Sequence, residues 1–287
     1  MKKLSFLLLL PLCIFLVSFY SKSSVISLED ALAQHKIELQ IIPNGNHSGN
    51  SINIKVKNIT KGGLKLEVLP GTAFVPDDKG EQTLVTAKDE MLVLEKEQTK
   101  TLLLCAYCTQ LSHRCPTKES TFTLSKTKNS ALLGLANFID SLRTVDDYNI
   151  QQAFWCVTDS ESVADISSEN PAIEKALHKY VCSITGQKDT WYRTQREVTV
   201  DQQQRIVCAP KEIKGDIAFE SAEPVELQGC VKDSTGKIIV TNPNKTNLPA
   251  GKIKFEFNLK VHDWAPGNYS VVYTNNGKEV INQPFTL

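Results

Sequence analysis

The period of the apolar residues changes twice along the chain, and this constrains the fold more than any other feature. Across residues 39–124 the pattern alternates. Ile52, Ile54 and Val56 share one face, with Asn53, Lys55 and Lys57 on the other, and Leu64, Leu66 and Val68 repeat it. Met91 to Leu94 and Thr101 to Leu104 are more continuous apolar runs. Turn formers separate these segments: Pro43-Asn44-Gly45, Gly62-Gly63, Pro70-Gly71 and the stretch from Pro76 to Gly80. Short alternating strands between such turns predict an antiparallel sandwich or barrel.

The middle of the chain takes a helical period. Leu132, Leu135, Ile139 and Leu142 form one stripe. Ile150, Ala153, Phe154 and Val157 form a second, after Asp146 and Asp147, which suit a helix start. Asn170-Pro171 opens a third helix, with asparagine as cap and proline in the first turn, and Gly186 is placed to end it. These stripes must pack on one another or on the preceding sheet. Alternation then returns in Val225, Leu227 and Val231 and in Phe255, Phe257, Leu259 and Val261, and Asn276-Gly277 suits a hairpin. The expected architecture is mainly β with a helical segment. An N-terminal β-sandwich with three appended helices occupies residues 24–190, a polar linker 191–204, and a sandwich of immunoglobulin-like size 205–287.

The N-terminus begins with Lys2 and Lys3, runs apolar from Leu4 to Tyr20 and offers Ser21 and Ser23 before a cleavage point at Ser24. This pattern predicts a signal peptide over residues 1–23. Leu12 before Cys13 argues against lipidation. The apolar stretch is slightly shorter than the ~20 residues of a spanning helix, and membrane contact is expected only if the segment stays uncleaved. The expected location is therefore secreted or at the cell surface. Of eight cysteines, removal of Cys13 leaves Cys105, Cys108, Cys115, Cys156, Cys182, Cys208 and Cys230. In an oxidising compartment most would pair. Cys208 and Cys230, alone in the second β unit, are expected to pair with each other. Cys182 points away from its helix stripe and is expected to bond to Cys156 or to one of the group Cys105 to Cys115. An odd count leaves at least one sulfur for another use.

Lysine plus arginine and aspartate plus glutamate number 32 each, which gives no electrostatic case for nucleic acid. No histidine pair sits at metal-ligand spacing, and no phosphate-cradling loop or nucleophile-elbow motif occurs. Cys105-x-x-Cys108 with His113 and Cys115 imitates part of a zinc site, but the second cysteine pair is missing. In a strand, residues three apart face opposite sides, so Cys105 and Cys108 are expected to go to different partners. No cofactor and no metal are expected. Four Asn-x-Ser/Thr sequons begin at Asn46, Asn58, Asn244 and Asn268; they matter only in a glycosylating host.

From its residues alone, the stretch Ile150-Gln151-Gln152-Ala153-Phe154-Trp155 is a half-buried helix face against the sheet. It also resembles the Gln-x-Ala-hydrophobic-Trp motif of bacterial thioester (TQxA) domains, found on surface adhesins. In that family the motif glutamine condenses with a cysteine preceded by an aromatic or aliphatic residue. The resemblance implies a bond between Gln151 and Cys108, which follows Tyr107, with Trp155 as a wall that shields it from water. The run Trp264-Ala265-Pro266-Gly267-Asn268-Tyr269 with Asn276-Gly277-Lys278 is similar to the turn and hairpin of immunoglobulin-like modules of bacterial secreted proteins. More loosely it is similar to type IX C-terminal sorting domains.

These readings lead to an exported, non-enzymatic binding or adhesion protein whose partner is a protein or glycan at a surface. Two alternatives stay open: a covalent adhesin using Cys108 and Gln151, and a thiol-dependent enzyme with a free, low-pKa cysteine.

Overall fold

The computed structural model describes residues 25–287; the expected signal peptide lies outside them. The chain runs through β1 (Val25–Ser27), α1 (Leu28–Ala33), β2 (Ile37–Pro43), β3 (Asn50–Asn58), β4 (Leu64–Val68), β5 (Thr72–Pro76), β6 (Leu84–Thr86), β7 (Glu90–Leu94), β8 (Thr99–Cys108) and β9 (Phe122–Lys126). Three helices follow: α2 (Ser130–Leu142), α3 (Asp147–Thr158) and α4 (Pro171–Thr185). The chain closes with β10 (Tyr192–Val200), β11 (Ile206–Ser221), β12 (Val225–Asp233), β13 (Ile238–Leu248), β14 (Gly251–Lys260), β15 (Asn268–Asn275) and β16 (Lys278–Thr286).

The first body is a sandwich of a six-stranded sheet, β2-β3-β8-β6-β5-β9, and a three-stranded sheet, β1-β4-β7. Alternation places Ile52, Ile54 and Val56 of β3 and Leu64, Leu66 and Val68 of β4 in one buried cluster between them. Each such side chain contributes ~1.5–3 kcal/mol on burial. The continuous runs resolve into one-sided strands. Leu92, Leu94 and Leu104 point inward, while Met91, Val93 and Leu103 stay exposed. A strand feeds only alternate residues to a core, whatever the composition of the others.

The helices cover the opposite face of the six-stranded sheet. Leu132, Leu135, Ile139, Ile150, Ala153, Phe154, Leu177 and Val181 pack there against Ala73, Val85 and Tyr107. Their ends follow local chemistry. The Asp146 side chain caps α3, Asn170 caps α4 with Pro171 in its first turn, and Gly186 ends α4 in a left-handed conformation (φ 76°).

The second body pairs the sheets β10-β11-β14 and β13-β12-β15-β16 around a third cluster that includes Ile213, Ile217, Leu227, Val231, Val271 and Phe285. The segment 191–204, expected as a linker, holds instead strand β10, paired antiparallel with β11. Its polar residues mask an alternating strand. Tyr192 and Thr194 are buried, and Arg193 and Gln195 alternate with them on the other side. The far end of this hairpin reaches back to the first body, where Ile206 joins the first core and Val198 and Cys208 pack against it.

All seven cysteines among the described residues are free thiols, so the expected staples are not formed in this structure. The Cys208–Cys230 expectation fails on geometry as well. Cys208 turns toward the core of the first body. Cys230 lines a cleft of about 510 Å³ between the two sheets of the second, with Phe255, Phe257 and Tyr273. Cys156 and Cys182 lie on packed helices in the second cluster, unbonded.

Candidate functional site

The site begins with the alternation of β8. Leu104, Ala106 and Cys108 enter the first core, whereas Cys105 and Tyr107 belong to the helix side. Cys105 and Cys108 thus face opposite ways, as spacing requires. Cys105 contacts Asn50 Oδ1 at 3.2 Å. Cys108 is fully buried.

Helix α3 is fixed against the end of β8 at both of its termini. At the start, Tyr107 Oη of β8 donates to Asp147 Oδ1 at 2.6 Å, next to the Asp146 cap that accepts from the Asn149 N–H at 3.0 Å. At the finish, Asp159 Oδ1 accepts from the Leu111 N–H at 2.8 Å. Tyr107 and Phe154 meet edge to face, their ring centroids 5.6 Å apart. Docked in this way, α3 brings Gln151 to Cys108, 43 positions earlier in the chain. The carboxamide pairs with both backbone groups of that one residue. Gln151 Nε2 donates to the Cys108 carbonyl at 2.8 Å, and Gln151 Oε1 accepts from the Cys108 N–H at 3.1 Å. The same N–H is shared with the His47 carbonyl at 3.0 Å.

Trp155, one turn further along α3, leaves the helical cluster and lies fully buried in the first core with Cys108 and Cys115. Its Nε1 and the Nε2 of buried Gln152 have no hydrogen-bond partner. Each costs ~1–3 kcal/mol. Three residues singled out by the resemblance therefore meet in one water-poor place.

Electrostatics make this a poor site for a conventional thiolate. Burial pushes the Cys108 thiol well above its usual range, with further upward contributions from Cys115 and Asp159. Burial likewise pushes Cys115 up to about 11 and Cys208 up to about 12, and raises Cys105, Cys156 and Cys182. A thiol-dependent enzyme needs the opposite shift. The Gln151 carboxamide meets the main chain of Cys108, whose thiol is itself fully buried.

Two features here gave no sequence signal. The β10–β11 hairpin packs on the same core: its turn residue Gln204 accepts through its carbonyl from the Cys115 N–H, and Ile206 shares the cluster with Cys108. A buried ion pair ties the hairpin to the helical region. Arg196 Nε lies 2.8 Å from Asp165 Oδ1, although the two groups are not aligned as a hydrogen bond. Burial pushes Asp165 up to about 6 against the opposing pull of Arg196.

No family model matches the chain, and no curated protein matches it. Among solved structures it is similar to red sea bream transglutaminase, at 7% identity and a TM-score of 0.20. That alignment covers 88% of this chain and 31% of the other. A β-glucosidase from Kluyveromyces marxianus aligns at 10% identity and a TM-score of 0.21, over 82% of this chain and 44% of that one. The chain thus spans less than half the length of either structure, and likeness at this level carries no argument about fold or activity.

Proposed function

We propose that this chain is an exported binding protein that attaches covalently to its target through a thioester between Cys108 and Gln151. What supports this reading is that the Gln151 carboxamide lies against Cys108, paired with its main-chain N–H and carbonyl, while the Cys108 sulfur is fully buried. In forming the bond, the Cys108 sulfur joins the amide carbon, the C–N bond breaks, and the thiol proton leaves with the nitrogen as ammonia. A target amine then attacks the same carbon. The new C–N bond replaces C–S, and the amine proton passes to the Cys108 sulfur. Trp155 and the surrounding core keep water from the acyl group until the target arrives. The basic and apolar N-terminus supports export, and a protein or glycan at a surface is the expected target class.

A second reading is favoured by the same hydrogen bonds: Gln151 is a non-covalent clasp that holds α3 to β8. Intact mass separates the two. The thioester reading expects the native protein to be short by one ammonia, and Gln151→Ala or Cys108→Ala to carry its full calculated mass. A wild-type protein at full mass leaves only the clasp.

A further inference from the structure

We propose that Cys108 and Cys115 form a disulfide, and that this bond and the Cys108–Gln151 thioester are mutually exclusive states of one sulfur. The second half rests on the proposed thioester; the first half does not.

The chain leaves β8 at Cys108 and returns within seven residues beside the strand it has just paired with. Cys108 lies opposite Leu84 in the β6–β8 ladder, and the Thr109 N–H donates to the Thr83 carbonyl at 3.1 Å. After the loop, the Gln82 N–H donates to the Arg114 carbonyl at 3.0 Å, and the Arg114 N–H to the Gly80 carbonyl at 2.9 Å. Both cysteines are therefore tied to the same short segment 80–84. Their side chains enter the same cluster, where Cys108 and Cys115 are both buried with Trp155 and Ile206. The remaining five described cysteines are absent from the buried part of that cluster; only Cys208 packs at its margin. Cys115 is thus the thiol placed to compete with Gln151 for the Cys108 sulfur.

The exchange balances with a small-molecule disulfide as oxidant. One cysteine thiolate attacks it, forms a mixed disulfide and releases one small thiol. The second cysteine displaces the other small thiol. Two protein thiols are oxidised, one disulfide is reduced, and the two protons end on the released thiols. A Cys108 sulfur held this way is no longer a thiol or thiolate and cannot displace the amide nitrogen of Gln151. The β10–β11 hairpin sets the timing. With Ile206 in the core and Gln204 bonded to Cys115, neither sulfur is open to an oxidant in the closed fold. The choice between the two bonds is made during folding, before the hairpin docks.

The test refolds the full chain in a glutathione buffer, once oxidising and once reducing, followed by intact mass and peptide mapping without reduction. The oxidising sample is expected to lose two hydrogens, keep its ammonia and yield a Cys108–Cys115 cross-linked peptide. The reducing sample is expected to lose ammonia and keep Cys115 alkylatable. Cys115→Ser, with Cys115→Ala as a second variant, is expected to lose ammonia in both buffers. No Cys108–Cys115 peptide after oxidising refolding, or Cys115 linked elsewhere, overturns the disulfide. A wild-type oxidised sample carrying the ammonia deficit as fully as the Cys115 variants overturns the exclusivity. A cross-linked peptide with no ammonia deficit in any sample leaves the disulfide standing and removes the thioester reading instead.

Discussion

The two sandwiches use similar strands to opposite ends. In the first, β3, β4 and β8 send alternate residues into a closed core, and one end of that core is sealed by α3 and the β10–β11 hairpin. In the second, β13 is exposed along most of its length, Ile238, Ile239 and Val240 included, and the two sheets part around the cleft beside Cys230. The difference shows what full burial of a thiol requires. A strand alone leaves a thiol at a margin, as with Cys230. Closure by elements distant in sequence buries Cys108 and Gln151 side by side.

The largest effect that would break this comparison is at the seal. Trp155→Ala, at a fully buried position, is expected to cost ~3–5 kcal/mol in a urea titration. Ile239→Ala on the open edge should stay within ~0.5 kcal/mol. Equal losses would mean that the first core is not the tighter of the two.

The ion pair that holds the hairpin gives a pH signature. The folded-state pKa of Asp165 is raised to about 6 by burial, above the ~3.9 of an unfolded aspartate. The folded state therefore binds the proton more tightly. The resulting stabilisation is fully present below about pH 4 and lost as pH rises through 6, up to ~2–3 kcal/mol. Urea midpoints at pH 5 and pH 7 are expected to differ accordingly in the wild type. Asp165→Asn should flatten that interval; a slope unchanged by the substitution removes Asp165 as its source.

Loss of the clasp is next in size. Measured against wild-type protein at full mass, where the Gln151 carboxamide is intact, Gln151→Ala leaves the Cys108 carbonyl without its 2.8 Å donor, while the N–H keeps His47. A cost of ~1–3 kcal/mol is expected from one unpaired buried acceptor. The smallest effect lies at the surface. Removal of the exposed Lys57–Glu38 pair, 3.1 Å apart, should change stability by less than ~1 kcal/mol.

Local chemistry was legible in the sequence where a few adjacent residues decide the outcome. Asp146 before α3, Asn170-Pro171 before α4 and Gly186 after it act within one turn of their own position. So does the alternation of Ile52, Ile54 and Val56. Strand β10 was hidden because its inward residues are Tyr192 and Thr194 and its outward ones charged or polar, a pattern that reads as linker. The Cys208–Cys230 pairing failed because proximity along the chain says nothing about which body a side chain faces; Cys208 belongs to β11 but turns toward the other core. The meeting of Cys108 with Gln151 depends on the docking of α3, which no local pattern encodes. It was reachable only through the six-residue resemblance around Trp155.

Methylamine treatment of the native protein, read by peptide mapping with a thiol count, tests the Cys108–Gln151 bond most directly. The account predicts one methylamine incorporated at Gln151 and one new thiol at Cys108, with no incorporation in Cys108→Ala. An unmodified Gln151 and an unchanged thiol count in freshly purified, non-oxidised protein would contradict it.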